Sequence, residues 1–265
     1  MKMLDAHSHL GTTSSGDPHD VHQLVKDMLS HGITQTGISS LSGTDNRRQN
    51  DLVYEAMQLY PEQIRGYAFI NPKAPDVHQE IDLDLGQRHM VGVKFHPWKH
   101  GYYSDNTPQL QEVLAHIFEY PVQVQVHVGT SPLCTPFAWI RYAKMFPDHP
   151  FVFTHMGSRE FGYTVVEAVR DVPNIYLETS VQYQRDVLLK AAREIGSRRI
   201  LFGVDWPYKP IETEVRKIQL LGFSQTELED VYYRNIEELW QKAEEMCIRD
   251  RQGTLIPAMA RFPRR

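Results

Sequence analysis

Val122-Gln123-Val124-Gln125-Val126-His127-Val128 is the stretch that decides the fold of this chain. Side chains on a β-strand alternate between its two faces. The four valines therefore share one side, suited to burial under helices, while Gln123, Gln125 and His127 share the other. Val91-Gly92-Val93-Lys94-Phe95-His96 repeats the arrangement, with Val91, Val93 and Phe95 opposing Lys94 and His96. A strand that is apolar outward and polar inward fits a sheet whose inner face is closed off and whose inward polar groups gather at one rim.

Outward from these two runs the pattern is regular. Further strands are expected from the N-terminal run Met1 to Asp5 on to His9, and at Ile33 to Ser40, Ile64 to Ile70, Phe151 to His155, Ile175 to Thr179 and Ile200 to Asp205. Helices are expected between them, near 46–59, 75–87, 108–118, 137–146, 165–170 and 187–195, with closing helices near 212–221 and 225–245. The polar stretch Gly11 to Gly16 reads as a loop. Asp17 then serves as N-cap and Pro18 as first residue of a helix whose apolar stripe is Val21, Leu24, Val25, Met28 and Leu29, with Gly32 at its C-terminal cap. Eight strands alternating with helices indicate a parallel sheet, and eight is the number that closes a (β/α)8 TIM barrel. At 265 residues the chain matches the size of one such domain, expected over residues 1–246.

The totals narrow the function. Lys and Arg number 28 against 33 Asp and Glu, giving −5, which argues against nucleic acid as the main partner. No run reaches the roughly 20 apolar residues of a membrane helix, so no membrane partner is expected. Two cysteines, Cys134 and Cys247, provide no disulfide framework, and the N-terminus lacks a signal-peptide pattern, so a cytoplasmic setting is expected. Residues 247–265 carry five arginines with little periodicity; they read as a basic tail, disordered or foreign to the native sequence.

The chemistry concentrates at strand ends. In Asp5-Ala6-His7-Ser8-His9 the two histidines project to one side, where both can reach one divalent cation. Four later strands end in His96, His127, His155 and Asp205. A hydrogen-bonded core histidine or a capping aspartate would account for any one of them; five strands ending alike point to a metalloenzyme. Glu178 faces inward if Ile175 and Leu177 face out, placed to orient a ligand.

The motifs DAHSHLG, GVKFHP, QVHVG, FTHMG and FGVDWP, in this order, resemble the amidohydrolase superfamily, most closely its amidohydrolase-related (amidohydrolase-2) branch. The resemblance implies a (β/α)8 barrel with a divalent metal at its C-terminal face. It implies His7, His9, His127 and Asp205 as metal ligands, and Asp205 and His155 as catalytic groups. One Zn2+ is the expected ion, with Mn2+ or Fe2+ as alternatives. A two-metal site bridged by carbamylated Lys94 is the less favoured arrangement, because the branch is often mononuclear. TatD-type nucleases share much of the pattern but use a fourth-strand glutamate, a position held here by Lys94 and His96.

Lys94, His96, Trp98, Trp206 and Arg47 are the candidates for contacting a small-molecule substrate. The leading expectation is a hydrolase that uses metal-activated water on an amide, ester or lactone. The alternative is a decarboxylase of a carboxylated aromatic or muconate-like substrate, and a non-catalytic metal-binding protein is third. Oligomeric state is left open, a homodimer included.

Overall fold

The computed structural model describes residues 1–13, 15–40 and 45–251, with side chains through Glu245. The expected tail character of 247–265 therefore falls outside the described side chains. Among the described residues, eight strands run parallel in chain order: β1 (Met3–Thr12), β2 (Ile33–Ser40), β3 (Ile64–Phe69), β4 (Gly92–Phe95), β5 (Gln123–His127), β6 (Phe151–Thr154), β7 (Ile175–Glu178) and β8 (Ile200–Leu201). The chain beyond β8 meets β1 through three backbone hydrogen bonds. Ala6 N donates to Phe202 O at 2.9 Å, Asp205 N to His7 O at 2.7 Å, and His9 N to Trp206 O at 2.8 Å. These bonds curl the sheet round onto its first strand, giving the TIM-barrel arrangement that the alternation predicts. Phe202 N instead bonds Val231 O, which is one reason the regular β8 ladder is so short.

The helices fall largely where the periodicity places them, and the departures have physical causes. Pro18–His19 is not a helix start: it pairs antiparallel with Gly11–Thr12 and extends the first strand through the expected loop. The cap is then Asp20, whose side chain accepts from Gln23 N, and α1 runs Val21–Ser30 with Val21, Leu24, Val25 and Met28 buried but Leu29 exposed. α2 (Asn46–Leu59) starts after Asp45, which accepts from Arg48 N. α3 (Val77–Ile81) gives way at once to a π-turn over Asp82–Gln87. α4 (Pro97–His100) is a four-residue turn directly after β4, followed by α5 (Leu110–Ile117) and α6 (Phe137–Met145). α7 (Ser158–Ala168) begins seven residues before its expected start, because the backbone turns sharply at Gly157 (φ +77°) straight after β6. α8 (Arg185–Glu194) and α9 (Ile211–Gln219) follow. The expected closing helix is divided into α10 (Gln225–Glu229), a π-turn at Asp230–Arg234, and α11 (Asn235–Arg251).

Inside the barrel the predicted faces hold. Val122, Val124, Val126 and Val128 are buried in the core. Deep in the barrel Tyr67 OH accepts from Trp240 Nε1 at 2.7 Å and from Gln123 Nε2 at 2.8 Å, while Gln125 Nε2 donates to Ala6 O at 2.8 Å. The polar interior is thus a plugged, hydrogen-bonded core, and its upper layer is where the histidines gather.

Candidate active site

β1 carries an extra residue between Asp5 and Ser8 relative to β2, since Asp5 pairs with Thr36 and Ser8 with Ile38. In a regular strand Asp5 and Ser8 would face opposite ways. The bulge brings Ser8 Oγ within 2.5 Å of Asp5 Oδ2, and bulges of this kind re-aim side chains beside active sites. Asp5 also accepts from His7 N at 3.0 Å, Thr36 Oγ1 at 2.5 Å and Val204 N at 2.9 Å. One buried carboxylate therefore ties β1 to β2 and to the end of β8, immediately behind His7 and Asp205.

His7 and His9 stand edge-on with ring centroids 4.5 Å apart. Their Nε2 atoms lie 3.5 Å and 3.1 Å from Asp205 Oδ1. Asp205 takes a left-handed backbone (φ +60°), which aspartate tolerates better than most residues. His7, His9 and Asp205 offer ligand atoms all within 4.8 Å of one another. His9 Nδ1 lies 3.2 Å from Ser39 O, which assigns its proton to Nδ1 and leaves Nε2 free as a ligand. Two neutral imidazoles and a carboxylate with one oriented tautomer fit a divalent first-row ion.

The expected fourth ligand, His127, stands next to this group, beside His155. It is stacked on His96 (centroids 3.9 Å, planes 11° apart), and with His96 and Cys134 it forms a second group whose ligand atoms lie within 4.8 Å of one another. Its Nδ1 is 3.2 Å from His155 Nε2 and its Nε2 is 2.9 Å from Thr130 Oγ1. His155 is oriented from behind: Ser180 Oγ donates to Glu178 Oε2 at 2.8 Å and lies 2.9 Å from His155 Nδ1, so it accepts that proton. Glu178 Oε2 also accepts from His155 N at 3.1 Å, and Ser180 N donates to Oε1. Glu178 thus faces the site as its alternation requires. His155, Met156, Gly157 and Ser158 all have positive φ, a run of unfavourable backbone such as functional sites retain.

Burial sets the electrostatics. It drives His7, His9, His96, His127 and His155 well below their ordinary pKa, with Lys94 pushing the same way in each case, so all five rings are neutral and ligand-competent. Lys94 is fully buried, donates to Thr154 Oγ1 at 3.1 Å and lies 3.5 Å from His7 Nε2. Burial pulls it down to about 7, against the opposing charges of Glu178 and Asp205. Asp205 is pushed up to about 7 by burial, with Lys94 foremost in opposing the shift, and burial raises Glu178 to about 8.

The remaining substrate candidates divide. Trp98 is exposed above His96, ring centroids 6.4 Å apart. Trp206 is buried, and its Nε1 donates to Asp27 Oδ2 of α1 at 3.1 Å, so its indole anchors the rim to that helix. Arg47 pairs with the buried Glu80 of α3, not with a member of the histidine cluster. Sequence reasoning passed over Lys99 on α4, half-buried, whose charge acts on His9, His96, His127 and Asp205. It also passed over Asp5, Ser180 and Cys134. Only Asp5 carried a signal, its place beside the paired histidines. His149, outside the cluster, is half-buried and stacked on Phe118 with ring centroids 4.1 Å apart.

A parallel barrel with a buried imidazole and carboxylate cluster at the C-terminal ends of its strands defines a metal-competent enzyme scaffold. The amidohydrolase sequence pattern matches residues 14–242. The gamma-resorcylate decarboxylase of Polaromonas sp. (strain JS666) is 31% identical over 282 residues, covering 85% of each chain. Among solved structures, 2,6-dihydroxybenzoate decarboxylase from Rhizobium superposes with TM-score 0.73 at 17% identity, covering 91% of this chain and 99% of its own. A dihydroxybenzoic acid decarboxylase from Polaromonas sp. JS666, with bound manganese and 2-nitroresorcinol, gives 0.74 at 18% identity, covering 91% and 97%. This chain belongs to the amidohydrolase family.

Proposed function

We propose that the chain is a metal-dependent carboxy-lyase acting on a small hydroxylated aromatic acid. The observation that carries this is the 31% identity to gamma-resorcylate decarboxylase across 85% of both chains. It reverses the order expected from sequence, in which hydrolysis came first. The fold alone does not choose, because structures at similar likeness carry hydrolase as well as decarboxylase names.

The reaction breaks the bond between ring carbon and carboxylate, releases CO2 and returns one proton to that carbon. His7, His9 and Asp205 would hold a divalent ion, and the manganese in the related structure makes Mn2+ the ion to supply first. Such an ion supplies a fixed positive charge that orients the carboxylate and adjacent hydroxyl of the substrate. Lys94 and Lys99 provide further positive charge for the same anion, Lys94 from below and Lys99 from the rim. Asp205, at the centre of the cluster, passes the proton to the ring carbon. His155, its orientation set by Ser180 and Glu178, lies beside His7, with centroids 5.2 Å apart, and polarises the substrate hydroxyl. Lys94 stays uncarbamylated, so one ion suffices.

The test is to incubate the Mn2+-supplemented chain with 2,6-dihydroxybenzoate in deuterated buffer. Expected products are CO2 and resorcinol carrying one deuterium on the ring carbon that bore the carboxylate, both lost in a His7→Ala/His9→Ala double variant. Turnover of an ester or lactone panel with no CO2 from any hydroxybenzoate would replace this reading with hydrolysis.

A further inference from the structure

A row of ring-to-ring contacts runs through the cluster without a break. Between centroids, Trp98 lies 6.4 Å from His96, His96 3.9 Å from His127, and His127 4.8 Å from His155. His155 then lies 5.2 Å from His7, His7 4.5 Å from His9, and His9 6.1 Å from Tyr208. The imidazoles within the row are buried or partly buried, whereas the indole and the phenol that end it are 56% and 39% exposed. We propose that Trp98 and Tyr208 are the walls of an aromatic slot over the cluster, and that this slot takes the second ring of a biaryl phenolic acid. The proposal rests on the carboxy-lyase reading above and names its substrate class.

Three features support the assignment. First, Trp98 belongs to α4, directly after β4, and Tyr208 to the segment after β8. In a closed barrel of eight strands the fourth and the eighth stand opposite one another, so the two rings flank the mouth from opposite sides. Second, the large exposed apolar side chains are sorted by type. Trp98, Tyr103, Phe137, Tyr183 and Tyr208 follow the C-terminal ends of strands, whereas Leu29, Leu59, Met145 and Leu220 stand at the far ends of helices, on the opposite face. Incidental surface apolarity would show no such division. Third, other rim aromatics have structural employment. Trp206 is buried and bonded to Asp27, Tyr183 OH donates to Glu214 with Lys217 Nζ 5.2 Å from its ring centroid, and Phe137 leans on Phe161 at 5.9 Å.

The reaction decides which end of the substrate faces these walls. The carboxylate and its neighbouring hydroxyl must reach the cluster, so the ring carbon para to the carboxylate points outward to the mouth. A phenyl group on that carbon meets the indole on one side and the phenol on the other. Aromatic pairs attract in offset or edge-to-face arrangements with centroids about 4.5–7 Å apart, beyond what burial alone contributes. A saturated ring of the same bulk gains the burial and not the ring-to-ring attraction, which makes the distinction measurable.

The experiment is calorimetric titration of the full Mn2+-supplemented chain with 2-nitroresorcinol and with its 5-phenyl and 5-cyclohexyl derivatives. In all three a nitro group stands where the carboxylate would be, so nothing reacts. Wild type is expected to bind the phenyl compound about tenfold more tightly than the parent and about threefold more tightly than the cyclohexyl one. Trp98→Ala and Tyr208→Ala, made separately, should each remove most of the phenyl gain, while Tyr163→Ala, midway along α7, should remove none. In turnover, 2,6-dihydroxy-4-phenylbenzoate should show a lower KM than 2,6-dihydroxybenzoate, and Trp98→Ala should raise that KM. Equal affinity for the phenyl compound and the parent would overturn the proposal. So would an equal gain from cyclohexyl, a gain that survives both wall variants, or a loss in Trp98→Ala that accompanies a changed oligomeric state on gel filtration. If 2,6-dihydroxybenzoate releases no CO2 while the Trp98-dependent phenyl gain persists, the carboxy-lyase reading fails and the slot stands; if that gain is also absent, both fail.

Discussion

Asp5 offers the sharpest test of how this site is built, because two substitutions of nearly equal size should behave very differently. Its Oδ1 receives the backbone N–H groups of His7 (3.0 Å) and Val204 (2.9 Å), and its Oδ2 receives the hydroxyls of Ser8 and Thr36 (2.5 Å each). Alanine leaves two buried backbone donors without a partner, and at about 1–3 kcal/mol each the cost is roughly 2–6 kcal/mol. The hydroxyls can rotate to other acceptors and add little. Asparagine keeps its carbonyl oxygen on the two amides and turns its NH2 towards the hydroxyl oxygens, which accept as well as donate. It loses charge assistance, about 1–2 kcal/mol, but also escapes the cost of holding a buried carboxylate ionised, since burial raises the pKa of Asp5. Urea unfolding of the metal-depleted chain at neutral pH measures both, and calorimetric Mn2+ titration reads the consequence for His7 and Asp205. Asp5→Ala should weaken ion binding by about 10–100-fold, the usual effect of removing an outer support of a metal site. Asp5→Asn should remain within a few-fold of wild type. Equal destabilisation by the two variants, or an alanine cost below about 1 kcal/mol, would refute the role of the orphaned amides.

Three further outcomes follow from the same geometry. A Cβ on Gly203 would lie 2.1 Å from Glu178 Oε1, so Gly203→Ala should displace that carboxylate, lower kcat by about 10–100-fold and lower Tm. Lys94→Met should abolish turnover yet stabilise the metal-free chain by about 1–4 kcal/mol in urea unfolding, because it removes a buried amine held near pKa 7. Asp84, remote in sequence from the cluster and bonded to Asn50 and Arg88, is raised by burial from 3.8 to about 6. Between those values the folded chain retains a proton that the unfolded chain has released, so this contribution to stability is complete below pH 3.8 and is lost as pH rises through 6. Stability curves of wild type and Asp84→Asn should therefore diverge in favour of asparagine by about 3 kcal/mol between pH 4 and 7.

What sequence could disclose follows from the range over which each feature is determined. Strand alternation has a period of two and helix amphipathicity a period of 3.6, so Val122 to Val128 and the α1 stripe report their environment within a few residues. The strand-end histidines could be read for the same reason: each is fixed by its own strand, and their gathering follows from closing the barrel. The helix start at Asp20 could not be read from the Asp17-Pro18 signal, because the pairing of Pro18–His19 with Gly11–Thr12 decides it. The supports of the site are more distant still. Asp5 meets Val204 across 199 residues and Ser180 meets His155 across 25, contacts set by barrel register and invisible to any local pattern. His127 shows where local reasoning stops even for a strand-end residue. Its strand directs it inward to His155, whereas the segment that follows β4 lays the His96 ring against its other face. Barrel strands therefore fix which donors point inward, whereas loops of independent sequence decide what stands beside them at the rim, where such folds set specificity.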